Sequence, residues 1–253
     1  MRRAALLLPG LLASCSYPTN EAMFDPAVQS LGGAGFTVSA STPTVGATNV
    51  ALGSAITLVF TDYPDPAALS PFGAVTLKSG SINRDITTTV DLVNKAVVIQ
   101  PKAALDASTQ FSVAVTTAMK SLAGDTVPGL VTISFTTGTT PGGGPTAPPK
   151  LSLATDIQPM ITSDCATAGC HTTTTHAGGL DLTAGKTTAG VVGVMSTEVK
   201  LNLVSASDAA NSYMLRKLLG TADTSGARMP NGAMWTTDKI QKVSDWINSG
   251  ANP

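Results

Sequence analysis

ITLVF, residues 56–60, is the stretch that decides the fold of the first half of this chain. Its apolar side chains Ile56, Leu58 and Phe60 alternate with Thr57 and Val59. An apolar residue at every second position is typical of a β-strand that buries one face. The alternation recurs in VTL (75–77), VDL (90–92), VVI (97–99), FSVAV (111–115) and VTISF (131–135). The pattern therefore predicts a domain built from many short strands.

Turn-forming residues separate these strands, for example PDP at 64–66, SG at 79–80, NK at 94–95 and GD at 124–125. With a first strand at 36–38, the pattern predicts about seven strands in about 100 residues, as in an Ig-like sandwich. The stretches STPTVGATNVALGSAITLVF, VVIQPKAALDASTQFSVAV and ISFTTG resemble the bacterial Ig-like domains of surface-layer proteins. That resemblance implies an all-β Ig-like sandwich over residues 36–138 and says little about activity.

The composition excludes one broad class of function. The chain has 253 residues, of which 43% are hydrophobic and 12% charged, and its formal net charge is −1. This length predicts one large or two ordinary domains with packed cores. Lys and Arg do not cluster beyond the first residues, so the basic face of a nucleic-acid-binding protein is missing from the sequence. We therefore expect no nucleic-acid partner.

The N-terminus has the pattern of an export signal. Two arginines precede an apolar run much shorter than the ~20 residues of a membrane-spanning helix. The run ends in Leu-Ala-Ser-Cys at 12–15, which resembles the bacterial lipobox. This resemblance implies a lipoprotein signal peptide over 1–14, lipid on Cys15, a tether over 15–35 and, from Ser16, anchoring in the outer membrane. An ordinary signal peptide with a chance cysteine is the alternative.

A linker rich in Gly and Pro, residues 139–150, separates the strands from the C-terminal part of the chain. Such a composition cannot build a core and predicts an extended, mobile connection. From residue 151 the apolar period becomes helical, and a short helix is predicted to start near Asp156. SYMLRKLL (212–219) predicts a second helix, which Gly220 ends. Residues 151–253 are therefore predicted to form a small, mostly α domain.

The last helix has the clearest pattern, over residues 237–249. Thr237 is its predicted N-terminal cap, because a threonine hydroxyl can accept a hydrogen bond from a free N–H of the first turn. Ile240, Val243 and Ile247 form an apolar stripe beside Trp246. This stripe predicts that the helix packs on the core of the C-terminal domain.

One loop, SDCATAGCHTTTTHAGG (163–179), holds both histidines of the chain and every cysteine except Cys15. C-x-x-C-H is the usual attachment signal for c-type haem, and here the order is C-x4-C-H, with Gly169 allowing a tight bend. Three alternatives use the same residues. They are a Cys165–Cys170 disulfide, a zinc site in which His171 and His176 join the two cysteines, and two free thiols.

A His-ligated haem iron often takes a methionine sulfur on its other side. GARMPNG (226–232) lies between the two later helices and offers Met229, with Arg228 as a candidate partner for a haem propionate. The other methionines of the C-terminal part are weaker candidates. Met214 lies on an apolar helix face, and Met160 is too close in sequence to Cys165 to reach the opposite face.

Five blocks of the C-terminal part resemble, in order, the single-haem cytochrome c-like domain with a widened cysteine spacing, found in exported bacterial proteins and lipoproteins. They are DIQPMITSDCATAGCH, GGLDL, NSYMLRKLLG, ARMPNG and IQKVSDWINSGANP. The resemblance implies one haem c attached through Cys165 and Cys170, with His171 as proximal and Met229 as distal ligand. It also implies that Trp246 is a core residue of the closing helix.

From these resemblances we expect an envelope-anchored electron carrier rather than an enzyme, with other envelope redox proteins as transient partners. A non-redox surface scaffold or adhesion lipoprotein, stabilised by a disulfide or zinc, is the alternative. No motif places a base beside a nucleophile, which disfavours hydrolytic chemistry. A peroxidase-like or sensor haem is expected only if Met229 does not bind the iron.

Overall fold

The structure is a computed structural model, and it describes residues 35–69, 73–142, 147 and 149–253. The signal peptide over 1–14, the lipidation site at Cys15 and almost all of the tether over 15–35 lie outside the described residues. Among the residues that are described, no helix is long and apolar enough to cross a membrane.

The N-terminal part of the described chain is a sandwich of two antiparallel four-stranded sheets. The strands are β1 Val38–Thr42, β2 Ile56–Phe60, β3 Val75–Ser79, β4 Ile82–Arg84, β5 Ile86–Asp91, β6 Ala96–Pro101, β7 Gln110–Val115 and β8 Val131–Thr136. Their orders in the two sheets are β1-β2-β6-β5 and β4-β3-β7-β8. The all-β Ig-like prediction is confirmed.

The sandwich core lies where the sequence pattern places it. Ile56, Leu58 and Phe60 are buried and pack with Phe111 and Phe135 from the facing sheet. Fully burying an aliphatic or aromatic side chain of this size stabilises a fold by roughly 1.5–3 kcal/mol. The alternation of the strands therefore supplies the apolar contacts between the two sheets.

The first strand begins later than predicted. The pattern placed it at 36–38, whereas β1 starts at Val38. Phe36 is buried before the strand, with its ring stacked 4.9 Å from the ring of Phe60. The apolar residue at this position thus serves ring packing rather than strand pairing.

The C-terminal part contains short helices separated by long turns. The helices are α1 Gln158–Asp164, which continues a π-helical turn at Leu153–Ile157, α2 Thr187–Val191, α3 Tyr213–Leu219 and α4 Thr237–Asn248. One-turn 3-10 helices lie at Pro66–Leu69 and Ala177–Gly179. The C-terminal part therefore contains less helix than the prediction of a mostly α domain implies. Thr, Ser and Gly, which are poor helix formers, fill the segments between the helices.

Two helix ends show how closely the sequence locates a boundary. Gly220 ends α3 in the left-handed conformation, with φ 68°, as predicted. The cap of α4 is Thr236, whose hydroxyl accepts from the N–H of Lys239, and not the predicted Thr237. The backbone of Thr236 is extended, and this is the conformation that a capping residue needs.

The two parts of the chain pack against each other. Leu92, which follows β5, is 1% exposed and belongs to the buried cluster of the C-terminal part. Tyr63, Val90, Val93 and Leu122 from the sandwich side pack around the same cluster. The sandwich therefore completes the core of the C-terminal part instead of being joined to it by a mobile connection alone.

The predicted linker also begins later than expected. The N–H of Leu52 donates to the carbonyl of Thr140 at 3.0 Å, and Gly142 lies directly against Gly53. A Cβ on Gly53 would come within 2.6 Å of the Gly142 carbonyl oxygen. Residues 139–142 are therefore the edge of the sandwich rather than the start of a 139–150 linker.

Candidate functional site

The loop that carries the cysteines closes on itself at the end of α1. The N–H of Cys165 continues the helix by donating to Ile161, and the N–H of His171 returns to the carbonyl of Cys165 at 3.1 Å. Gly169 has φ 84°, so it makes the bend that its sequence position indicates. The closed turn brings Cys165 and His171 together, and Cys170 lies between them in sequence.

His171 is held in one orientation. Its Nδ1 lies 2.8 Å from the carbonyl oxygen of Ala177, and its own carbonyl accepts from Leu182. Burial is the main cause of the lowered pKa of His171, and the charge of Lys217 adds to it. A neutral imidazole whose Nδ1–H is bound to a backbone carbonyl presents Nε2 as a ligand, which is the usual arrangement of metal-binding histidines.

Cys165 carries a free thiol that is half buried. Burial is the largest reason why its pKa is raised to about 12, and the neighbouring Asp164 and Cys170 add to the effect. A nucleophilic or zinc-binding cysteine needs a lowered pKa, because the thiolate is the reactive form. This thiol is therefore set up to remain protonated, as a neutral S–H.

His176 does not join the other candidate ligands. Its side chain is 48% exposed, and its Nε2 lies 3.9 Å from the Asp181 carboxylate. Within the described ranges, no three His, Cys, Asp or Glu side chains are grouped so that they could hold a metal ion. The four ligands of the zinc alternative are thus not gathered in this part of the chain.

Met229 lies on a loop that is bound to α3. Its N–H donates to the carbonyl of Lys217 at 3.0 Å, and Arg228 Nε donates to the carbonyl of Leu218 at 2.7 Å. The positive charge of Lys217 also lowers the pKa of His171. Lys217 of α3 is therefore coupled to both predicted ligands, to Met229 through a backbone hydrogen bond and to His171 through its charge.

The other methionines are placed differently. Met160 and Met214 pack on the core of the C-terminal part, and Met195 and Met234 are exposed. The sulfur of Met234 accepts from Arg228 at 3.0 Å. Met229 is half buried on its loop, which keeps it as the candidate that the sequence singled out.

Arg228 anchors its loop, a role that the sequence did not reveal. Besides its bonds to Leu218 and Met234, its aliphatic stem crosses Gly220 so closely that a Cβ there would lie 2.8 Å from Arg228 Cδ. Its charge also reaches Tyr63 of the sandwich, where it opposes the rise in pKa that burial causes. In the sequence, Gly220 indicates only the end of α3. Its contact with Arg228 forms when the chain folds and could not be predicted from the sequence.

Residues 33–137 match the bacterial Ig-like domain family. The match covers the sandwich and ends before the linker and the cysteine loop. No curated protein sequence matches the chain.

Several solved structures are similar to a part of the chain. The N-terminal part of the bacterial S-layer protein SbsC is 14% identical with a TM-score of 0.36, covering 51% of this chain and 27% of that one. CopC from Methylosinus trichosporium OB3b is 12% identical with a TM-score of 0.35, covering 43% and 98%. PcoC, a methionine-rich copper resistance protein from Escherichia coli, is 20% identical with a TM-score of 0.33, covering 41% and 99%. TM-scores below 0.5 do not establish a shared function.

Proposed function

We propose that residues 151–253 form a cytochrome c-like domain that binds one haem c through Cys165 and Cys170 and transfers single electrons in the cell envelope. The observation that carries the proposal is the orientation of His171, which directly follows the second cysteine. Its Nδ1 is bound to Ala177, so Nε2 remains to bind iron. The Ig-like sandwich and lipid on Cys15 would hold this domain at the outer membrane.

The donor set supports a haem of this type. Two thiols and an imidazole lie on one closed turn, and a thioether sulfur lies on a loop bound to the neighbouring helix α3. Trp235 lies beside this turn. It is 7% exposed, and its indole N–H faces the Asp164 carboxylate closely enough to help lower the pKa of that group.

Each residue has a definite part in this chemistry. Cys165 and Cys170 would hold the haem through thioether bonds to its two vinyl groups. His171 would bind the iron through Nε2 and Met229 through its sulfur, a pair that favours the reduced state. When bound, the haem supplies an iron that gains or loses one electron. Transient envelope redox partners would exchange that electron.

The first test uses the full chain made in a host with haem-attachment machinery. We expect a c-type absorption spectrum that stays with the polypeptide after denaturation and acid-acetone extraction. Replacing Cys165 and Cys170 by alanine should release the haem. A colourless protein would overturn the proposal and favour a non-redox scaffold or adhesion lipoprotein stabilised by a disulfide or zinc.

The two histidines of the loop offer a matched pair of variants. We expect His171→Ala to lose the spectrum of a low-spin haem with two strong axial ligands, because it removes the proximal nitrogen. His176→Ala, five residues further on, should keep that spectrum because its side chain is exposed. If both variants keep it, His171 is not the proximal ligand.

A further inference from the structure

The loop that carries Met229 is bound to α3 at both of its ends. At the Met229 end, the backbone of α3 accepts from Met229 N–H and from Arg228 Nε. At the other end, Ser225 has both backbone groups bound by side chains of α3. Its N–H donates to the hydroxyl of Tyr213 at 3.1 Å, and its carbonyl accepts from Lys217 Nζ at 2.5 Å.

Tyr213 and Lys217 can reach the same residue because they lie four positions apart. That spacing places two side chains on one face of a helix, one turn above each other. Neither is a solvated surface group, since Tyr213 is 3% exposed and the Lys217 side chain 12% exposed. The polar ends of both side chains are directed at the backbone of the loop.

Glu198 connects the two polar groups from a separate segment of the chain. Its carboxylate accepts a short hydrogen bond from the Tyr213 hydroxyl and lies 3.8 Å from Lys217 Nζ. The hydroxyl can do this while accepting from Ser225, because a phenol both donates and accepts. Burial, and then the bond to Glu198, raises the pKa of Tyr213 to about 12, which keeps its donated proton in place.

We infer that Tyr213, Lys217 and Glu198 are positioning residues that hold the Ser225–Met229 loop where the Met229 sulfur serves as distal ligand. The inference rests on the proposed function and adds the residues that set the strength of its iron–sulfur bond. A loop that is bound at both ends loses little conformational entropy when the Met229 sulfur binds the iron. A loop released at Ser225 leaves Met229 held only from its own side.

The test compares Tyr213→Phe with the wild-type chain, both loaded with haem. The variant keeps the ring and removes only the hydroxyl that binds Ser225 and Glu198. We expect the ferric sulfur-to-iron charge-transfer band to weaken and the midpoint potential to fall, because methionine ligation favours ferrous iron. One lost hydrogen bond of ordinary strength should raise the ratio of methionine-detached to methionine-bound ferric protein about fivefold.

Thr187→Val is the matched control. It removes a buried hydroxyl that donates to the carbonyl of Leu182 at 3.0 Å, in helix α2, which forms no hydrogen bond with the Ser225–Met229 loop. The loss in thermal stability should be similar, while the charge-transfer band and the potential stay at wild-type values. If the control shifts them as Tyr213→Phe does, a general loss of stability explains the effect and the inference falls.

A second pair of variants, at Glu198, tests the inference if Tyr213→Phe does not fold. Glu198→Gln retains an oxygen that accepts from Tyr213, whereas Glu198→Ala removes it. We expect a wild-type band for the glutamine variant and a weakened band for the alanine variant. Unchanged bands in both would overturn the inference while the covalent haem of the wild type upholds the proposed function. A wild-type chain without covalent haem would overturn both.

Discussion

His171 and His176 show how much the fold adds to a residue. They lie five positions apart in one threonine-rich loop, and the spacing alone allows either to be a ligand. The structure fixes His171 against the Ala177 carbonyl and leaves His176 exposed beside Asp181. The Cys-His pair made His171 predictable as the candidate. The bond that orients its ring depends on a turn formed six residues later.

Two features require a glycine at position 220, namely its left-handed backbone and the close approach of the Arg228 side chain. A substitution can separate their contributions. We expect Gly220→Ala to lower the free energy of unfolding by more than the roughly 1–2 kcal/mol of left-handed strain, because its Cβ would also meet Arg228. Gly226→Ala is the control, since it has a similar φ of 66° in more open space. Urea unfolding measures both. Equal losses would mean that the Arg228 stem moves aside freely.

The raised pKa of Tyr213 predicts a dependence of stability on alkaline pH. A group whose pKa is higher in the folded state stabilises the fold below its unfolded value of 10.0, and the contribution is lost as pH rises toward about 12. We expect the wild-type chain to lose stability over this window more steeply than Tyr213→Phe. Denaturant unfolding at pH 9 to 11.5 measures the difference, and parallel curves would contradict it.

At the scale of elements, alternation predicted the strands better than helical patterns predicted the helices. The inward face of β2 is buried as its period requires, because adjacent strand residues point to opposite sides. In the C-terminal part, α3 lies where the pattern predicted it, whereas the five-residue helix α2 was not predicted. A helix that short depends on packing and on hydrogen bonds with its surroundings, which do not follow from propensity alone.

The structure places the N-terminal cap of α4 at Thr236, one residue before the predicted Thr237. We expect Thr236→Ala to lower the free energy of unfolding by about 1 kcal/mol, because it leaves the N–H of Lys239 without its acceptor. Thr237→Ala is the control and should be close to neutral or stabilising, since alanine favours a helix interior. Thermal unfolding distinguishes the two. A larger loss at Thr237 would restore the predicted cap.

At the scale of the whole molecule, the sandwich is part of the core of the C-terminal domain. We expect Leu92→Ala to destabilise that domain by roughly 2–5 kcal/mol through the cavity it leaves. Both tryptophans, Trp235 and Trp246, lie in the C-terminal part, so their fluorescence reports its unfolding although the mutation is in the sandwich. Leu130→Ala, at an exposed site, is the control. Unchanged tryptophan unfolding in Leu92→Ala would mean that the two parts are independent.

The low content of charge predicts how the whole protein would meet the redox partner that the proposed function requires. With 12% charged residues and a net charge of −1, long-range attraction contributes little to encounter. We therefore expect the rate of electron exchange with an uncharged mediator and with a partner protein to change little between low and physiological salt. Stopped-flow reduction measures this. A steep fall with salt would reveal a local charged surface that dominates the encounter.

The sequence by itself determined the Ig-like sandwich, the position of its core and the candidate site residues Cys165, Cys170, His171 and Met229. These features depend on short-range periodicity and on a local motif that can be read without the fold. The tertiary structure alone decided the bond that orients His171, the anchoring of the Met229 loop by Tyr213 and Lys217, and the packing of Leu92 across the two parts. Each of these contacts joins residues from separate elements, so it exists only once the chain has folded and buried them together.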